Sequence, residues 1–225
     1  MGFQIAIDGP AGAGKSTIAK LVAGRLGFTY MDTGAMYRAV GLLFDAQEKF
    51  PEGSEEIQKV CDAANIDIKF IDGSQRIFLN GEDVSDLIRT EHAGNTASFV
   101  STFPEVRTRL VALQQELSRT CDVVMDGRDI GTVVLPNADL KIFMEADIRV
   151  RAQRRFDQLR EKGETPDMEQ IIKDLEARDY QDRNRAVSPL KQADDAILID
   201  TSDMNREEVT EEILRLYRKV KNGED

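Results

Sequence analysis

The sequence is poor in soft ligands and short of positive charge. It holds two cysteines, Cys61 and Cys121, and one histidine, His92. Neither cysteine has a second thiol or a histidine pair nearby at metal-ligand spacing, which leaves reduced, partly buried thiols of a cytosolic protein as the reading. His92 has no obvious acid or nucleophile partner in the chain, so a catalytic triad cannot be built on it. The formal charge is −11 at pH 7. A sequence-independent grip on DNA or RNA needs the opposite balance, because Lys and Arg must displace the phosphate counterions. No apolar run approaches the roughly 20 residues that span a bilayer. Met1-Gly2-Phe3-Gln4-Ile5 runs directly into a glycine-rich loop, leaving no room for a secretory n-region and h-region, and Ala6 stands where N-myristoylation wants Ser or Thr. A soluble cytoplasmic protein is expected, with neither nucleic acid nor membrane as a partner. Repeats and low-complexity tracts are absent.

What the chain does contain is a regular alternation. At 225 residues it is long enough for one domain with a small insertion and too short for two full ones. Short apolar runs ending at Asp or turn residues alternate with longer amphipathic segments, the signature of a parallel sheet flanked by helices. Strands are expected at 4–8, 29–32, 122–126, 140–144 and 196–200. Helices are expected at about 15–26, 34–45, 104–118, 148–161, 168–184 and 206–221. The alternation breaks at 66–88, where two β-rich runs flank Asp72-Gly73 and a third follows Asn80-Gly81, both dipeptides that favour tight turns. This stretch reads as a small antiparallel sheet inserted into the core. It could cover an acceptor site or serve as a structural flap. The fold class is therefore a three-layer α/β fold with a five-stranded parallel sheet, an inserted antiparallel sheet and a helical lid.

The loop Gly9-Pro10-Ala11-Gly12-Ala13-Gly14-Lys15-Ser16-Thr17 fits G-x-x-x-x-G-K-[ST] at every fixed position, after a predicted strand and before a predicted helix. Its glycines let successive NH groups face an anion, and the helix start adds a positive dipole end. Lys15 can reach the β and γ phosphates of ATP, Ser16 can hold Mg²⁺, and Thr17 can donate to the α phosphate. The loop marks a nucleotide site without saying where the phosphoryl group goes. GTPase switches share D-x-x-G and N-K-x-D, and neither occurs in this chain.

Ligands of open α/β sheets bind beyond the carboxyl ends of the strands. Those ends carry DTGAMYR after the second strand and DGRDIGT after the third. In the first, Thr33 can cap the next helix, with Arg38 on its early turns. In the second, Arg128 and Asp129 stand side by side, as a functional pair or a surface ion pair. Arg178, Asp182 and Arg185 lie at i, i+4 and i+7, which puts them on one helix face. Arg151, Arg154 and Arg155 share another face, and the segment 148–166 reads either as a mobile cationic lid over the donor phosphates or as a solvated helix. Several arginines without a conspicuous general base suit phosphoryl transfer to an acceptor that already carries a phosphate, since the transition state needs positioning and cationic stabilisation above all.

Taken together, GPAGAGKST, DTGAMYR, IRTEHAGNTAS, FPEVR, DGRDIGTVV and RDYQDRNRAVSPL resemble the bacterial cytidylate kinases, within the nucleoside monophosphate kinase group. The resemblance covers the chain to about Leu190, and the inserted sheet resembles that family's enlarged monophosphate-binding domain. It implies a single P-loop kinase domain, with a core at about 1–38, 100–147 and 167–225, an insertion at 39–99 and a lid at 148–166. It also implies a monomer transferring phosphate from ATP to CMP or dCMP with Mg²⁺. By resemblance, Ser98, Arg107 and Asp129 read the cytosine. Arg38, Arg128, Arg178 and Arg185 hold the acceptor phosphate and the transferring group, Asp182 takes the sugar hydroxyls, and Thr33 lies beside the acceptor, where many relatives have Ser. Lys15, Arg128, Arg178 and Arg185 are the implied catalytic residues. The alternatives are a P-loop kinase for another nucleoside monophosphate and a regulator that hydrolyses ATP slowly.

Overall fold

The computed structural model describes residues 2–47, 49–51, 53–71 and 74–223, so the expected Asp72-Gly73 turn lies outside the described residues. In chain order the elements are β1 (Gln4–Asp8), α1 (Lys15–Leu26), β2 (Thr29–Asp32), α2 (Thr33–Asp45), α3 (Ser54–Ala63), β3 (Ile66–Ile71), β4 (Ser74–Leu79) and β5 (Glu82–Asp83). They continue with α4 (Glu91–Val100), α5 (Pro104–Ser118), β6 (Val123–Gly127), β7 (Leu140–Glu145), α6 (Ile148–Glu161), α7 (Met168–Asn184), β8 (Ile197–Asp200) and α8 (Arg206–Asn222). A short 3₁₀ turn occupies Leu87–Arg89, and a wide helical turn Ile130–Val134. The chain divides into two compact units, Met1–Tyr30 with Thr120–Asp225, and Met31–Arg119.

The first unit is organised by the five-stranded parallel sheet, ordered β2-β6-β1-β7-β8. Its central strand β1 pairs in parallel with β6 on one side, from Gln4 opposite Val123 to Asp8 opposite Gly127, and with β7 on the other. A strand covered on both faces carries a nearly continuous apolar run, and Ile5, Ala6 and Ile7 are fully buried. Ile18 and Val22 of α1 share a core with Val209, Ile213 and Tyr217 of α8. That helix starts from a capping box: Asn205 Oδ1 accepts from the Glu207 and Glu208 amides, and Glu208 Oε2 accepts from the Asn205 amide at 2.8 Å. A second cluster joins Ala11 to Ala152 and Leu159 of α6 and Ile171 and Leu175 of α7.

The second unit has its own core, in which Met36, Val40 and Phe44 of α2 meet Ile57, Val60 and Cys61 of α3, Ile77 and Leu79 of β4, and Leu110 of α5. The inserted sheet is antiparallel in the order β3-β4-β5, with Ile66 opposite Leu79 and Phe78 opposite Asp83. Its second turn is the expected one: Asn80 and Gly81 both have positive φ, at 52° and 89°, which suits a tight hairpin. Two helices, α3 and α4, stand where the sequence pattern above assigns none. Both show the spacing of an amphipathic helix, with Ile57, Val60 and Cys61 buried on one and Ala93, Thr96, Ala97 and Val100 on the other. Cys61 and Cys121 are free thiols, and burial pushes that of Cys61 up to about 11. No helix among the described residues is long and apolar enough to cross a membrane.

Candidate active site

The donor loop spans the end of β1 and the start of α1. Gly9 adopts φ 147°, and a Cβ there would lie 2.0 Å from the Met144 carbonyl oxygen, so the backbone passes β7 too closely for any side chain. Gly14 precedes α1, and Lys15, its first residue, is 5 % exposed with Nζ donating to the Pro10 carbonyl at 2.7 Å. The ammonium thus lies folded under the loop that it is expected to serve. Burial, reinforced by the Arg128 charge, lowers the Lys15 pKa to about 7 against the pull of Asp126, Asp182 and Asp8. Ser16 donates to Asp126 Oδ2 at 2.7 Å, and Tyr30 donates to the other oxygen at 2.8 Å. Thr17 is exposed at the same helix start.

A loop whose NH groups face inward turns some of its carbonyls outward, and those need donors. Arg151 and Arg154 of α6 supply them. Arg151, 6 % exposed, donates to the Ala11 carbonyl at 2.9 Å and the Ala146 carbonyl at 3.0 Å, and pairs with Asp179 of α7 at 2.7 Å. Arg154 reaches the Ala13 carbonyl at 3.4 Å and the Thr201 carbonyl at 2.7 Å. The first turns of α6 are therefore fastened to the loop, not a solvated face.

Beyond β6 lies a second cluster in the same unit. Asp8, buried at the end of β1, accepts from the Ile130 amide at 2.8 Å and the Gly131 amide at 2.7 Å, clamping the turn that follows Asp129. Burial raises its pKa to about 6, with the two amides opposing and the Asp129 charge assisting. Arg128 Nε donates to Asp182 Oδ2 at 2.8 Å, and Asp129 lies 3.6 Å from Arg185. Arg185 also stands 3.8 Å from Asp182. Burial raises Asp182, but Arg128, Arg185 and Arg178 outweigh it and hold the carboxyl below the usual range.

One geometric expectation is corrected here. Helix α7 ends at Asn184, and Arg185 is extended, with φ −64° and ψ 143°, so Arg178, Asp182 and Arg185 do not share a helix face. The chain turns back at Ser188, whose φ is 50° and whose carbonyl accepts from Arg185 Nε, and the Leu190 amide then bonds the Asp182 carbonyl at 2.8 Å. Arg185 stands only three residues beyond Asp182, and the reversal holds its guanidinium through the Ser188 carbonyl.

The second unit carries the remaining expected residues. Thr33 is not the cap of α2. Asp32 is: its extended backbone lets Oδ1 accept from the Ala35 amide at 2.9 Å, which leaves Thr33 as the first helical residue, buried. Arg38 donates to the other Asp32 oxygen at 2.8 Å. Arg107 of α5 is 2 % exposed, donates to the Ser101 carbonyl at 3.2 Å, and holds its guanidinium carbon 5.6 Å from the Tyr37 ring centre. Ser98, half-buried on α4, accepts at its carbonyl from Ser101 Oγ. His92, on the same helix, meets Asp45 at 3.0 Å with its side chain mostly exposed.

Asp8, Asp126 and Gln75 are given no role by the sequence reading. The first two stand at the carboxyl ends of neighbouring parallel strands, where a signal was available: an acidic residue closing an apolar run beside a phosphate loop.

A parallel sheet ordered in this way, with a phosphate loop after its central strand and half-buried arginines beyond the next, defines a P-loop phosphotransferase. The family model for cytidylate kinase matches residues 5–219. The chain belongs to the cytidylate kinase family. It is 50 % identical over 222 residues to the cytidylate kinase of Caldicellulosiruptor bescii, covering 99 % of this chain and 98 % of that one. It is 47 % identical to the cytidylate kinase of Lactobacillus johnsonii, covering 96 % and 94 %. A solved structure of an uncharacterized protein from Eubacterium ventriosum shares the fold, with TM-score 0.53 at 14 % identity over 97 % of this chain and 99 % of that one.

Proposed function

We propose that the chain transfers the γ-phosphoryl group of ATP to CMP or dCMP, giving ADP and CDP or dCDP, as a cytoplasmic monomer. The observation that carries this reading is family membership along nearly the whole chain together with an intact phosphate loop. The loop from Gly9 to Thr17 holds the donor triphosphate through its amides. Bound phosphates draw Lys15 away from the Pro10 carbonyl and keep it charged.

The paired hydroxyl and carboxylate of Ser16 and Asp126 are hard oxygen donors and fit Mg²⁺, which when bound neutralises charge on the β and γ phosphates. Ser16 is the assigned ligand, from its place after the phosphate-loop lysine. In this reading Arg38 grips the acceptor phosphate, and Arg128, Arg178 and Arg185 stabilise the charge spread over the transferring group. Asp182 takes the sugar hydroxyls, and Thr33 serves the acceptor. Residues 148–166 act as a lid anchored through Arg151 and Arg154, and 39–99 as the monophosphate-binding insertion between core segments 1–38, 100–147 and 167–225.

Cytosine offers an N4 amino donor and an N3 acceptor. Asp129 accepts from the first, Arg107 donates to the second, and Ser98 assists. Uracil reverses both groups and leaves buried charges facing like dipoles, which penalises it strongly. A steady-state panel of CMP, dCMP, UMP, AMP and GMP with ATP tests the reading: CMP and dCMP are turned over well and UMP poorly, and comparable use of UMP overturns it. Asp129→Asn narrows the CMP/UMP ratio; an unchanged ratio removes Asp129 from base reading.

A further inference from the structure

The inserted sheet lies within the proposed monophosphate-binding insertion, and one of its side chains holds the acceptor motif. Gln75, on β4, accepts the Asp32 amide at Oε1, 2.7 Å away, and donates from Nε2 to the Asp32 carbonyl at 3.3 Å. Its primary amide pairs with both main-chain groups of one residue, as a neighbouring strand would. Asp32 then spends its two carboxylate oxygens in different directions, one capping α2 at the Ala35 amide, the other accepting from Arg38 at 2.8 Å. All of these groups lie within the unit Met31–Arg119.

The sheet's register explains the reach. Gln75, Ile77 and Leu79 alternate onto the same face of β4, and Ile77 and Leu79 are buried in one core with Met36 and Val40 of α2. That face continues toward the start of α2, and an apolar residue at position 75 would extend its packing while leaving the Asp32 main chain without this partner. The side chain found there is an amide with one donor side and one acceptor side, which matches one N–H and one C=O. An arginine loses rotamer entropy when a ligand fixes it, so pre-aiming it raises affinity for the group it grips.

We propose that Gln75 is a positioning residue for the acceptor phosphate: it fixes Asp32, which aims Arg38, so the inserted sheet sets acceptor affinity without touching the acceptor. This rests on the reading that Arg38 binds the CMP phosphate.

The test is steady-state kinetics of the full chain with Gln75→Ala, the volume-conserving Gln75→Met, Arg38→Ala and the double variant Gln75→Met/Arg38→Ala. Each Gln75 variant is expected to raise the KM for CMP about three- to tenfold, with kcat and the KM for ATP held within about twofold. Arg38→Ala raises the KM for CMP further, and adding Gln75→Met to it changes nothing more. An additive double variant, or an equal rise in the KM for ATP, shows a merely structural role and overturns the proposal. If Arg38→Ala raises the KM for CMP and the Gln75 variants do not, the proposal fails and the acceptor reading stands. If Arg38→Ala leaves the KM for CMP unchanged, the role of Arg38 fails, and this proposal with it.

Discussion

Arg128 and Asp182 are joined by a charge-assisted hydrogen bond, Nε to Oδ2 at 2.8 Å, although 54 positions separate them in the chain. One residue follows the third core strand and the other lies near the end of α7, with the Asp182 side chain only 7 % exposed. Their union fixes the loop after β6 to the helix. Because the Asp182 carboxyl is held below its ordinary pKa of 3.8, its contribution to stability is present above that pH and is lost as pH falls through the folded value. Asp182→Asn is expected to cost about 3 kcal/mol at pH 7, since it leaves buried guanidinium charge uncompensated. The gap from the unsubstituted protein closes as pH falls below 3.8, which urea denaturation at stepped pH measures. A gap independent of pH would mean that the carboxyl carries no charge.

Lys15 predicts a proton. With its pKa lowered to about 7, it is partly neutral in the free protein at slightly alkaline pH. Triphosphate charge favours the ammonium, so ATP binding takes up close to one proton per site at pH 8, and the uptake fades as pH falls below 7. Calorimetry in buffers of different ionisation enthalpy reads this directly. Lys15→Met abolishes both the uptake and phosphoryl transfer while leaving CMP binding largely intact. Identical heats in all buffers would contradict the lowered pKa.

Arg151 predicts a division between the two substrates. Removing it strips donors from the Ala11 and Ala146 carbonyls and leaves Asp179 without its 2.7 Å partner. Arg151→Ala is expected to raise the KM for ATP roughly tenfold with little change in that for CMP. A shift in the CMP term alone would place its influence elsewhere.

Gly9 and Gly24 predict opposite signs for one substitution. At Gly9 an added Cβ meets the Met144 carbonyl oxygen at 2.0 Å, and φ is already in the range that L-residues avoid, so Gly9→Ala loses at least about 2 kcal/mol and weakens ATP binding. At Gly24, within α1, a Cβ meets nothing within 4 Å, and Gly24→Ala gains about 0.5 to 1 kcal/mol. Thermal denaturation distinguishes them, and equal effects would contradict the tight passage at Gly9.

Strands and loop were legible in the sequence because apolar runs ending in Asp and the G-x-x-x-x-G-K-[ST] spacing are local. The expected bounds of α5, α6 and α7 agree with the structure, and α1 with them. Helix α4 escaped notice because its buried stripe is built from Ala93, Thr96 and Ala97, side chains too small and mixed to mark an apolar face. The pairing of Arg128 with Asp182 could not be read from spacing, since it depends on where β6 delivers the loop relative to α7. The grip of Arg151 on Ala11 joins positions 140 apart, which only a folded chain brings within reach.

The two amides that bond Asp8 follow Asp129 directly, so the main chain presenting that side chain is fastened from a different strand. The support does not depend on which residue occupies position 129. On the proposed base-reading role of Asp129, a library confined to that position would sample base preferences on a main chain still held by Asp8, whereas substitutions at Asp8, next to Gly9, would release that main chain. Under that proposal, selection for altered nucleotide choice is expected to be permissive at the first position and closed at the second.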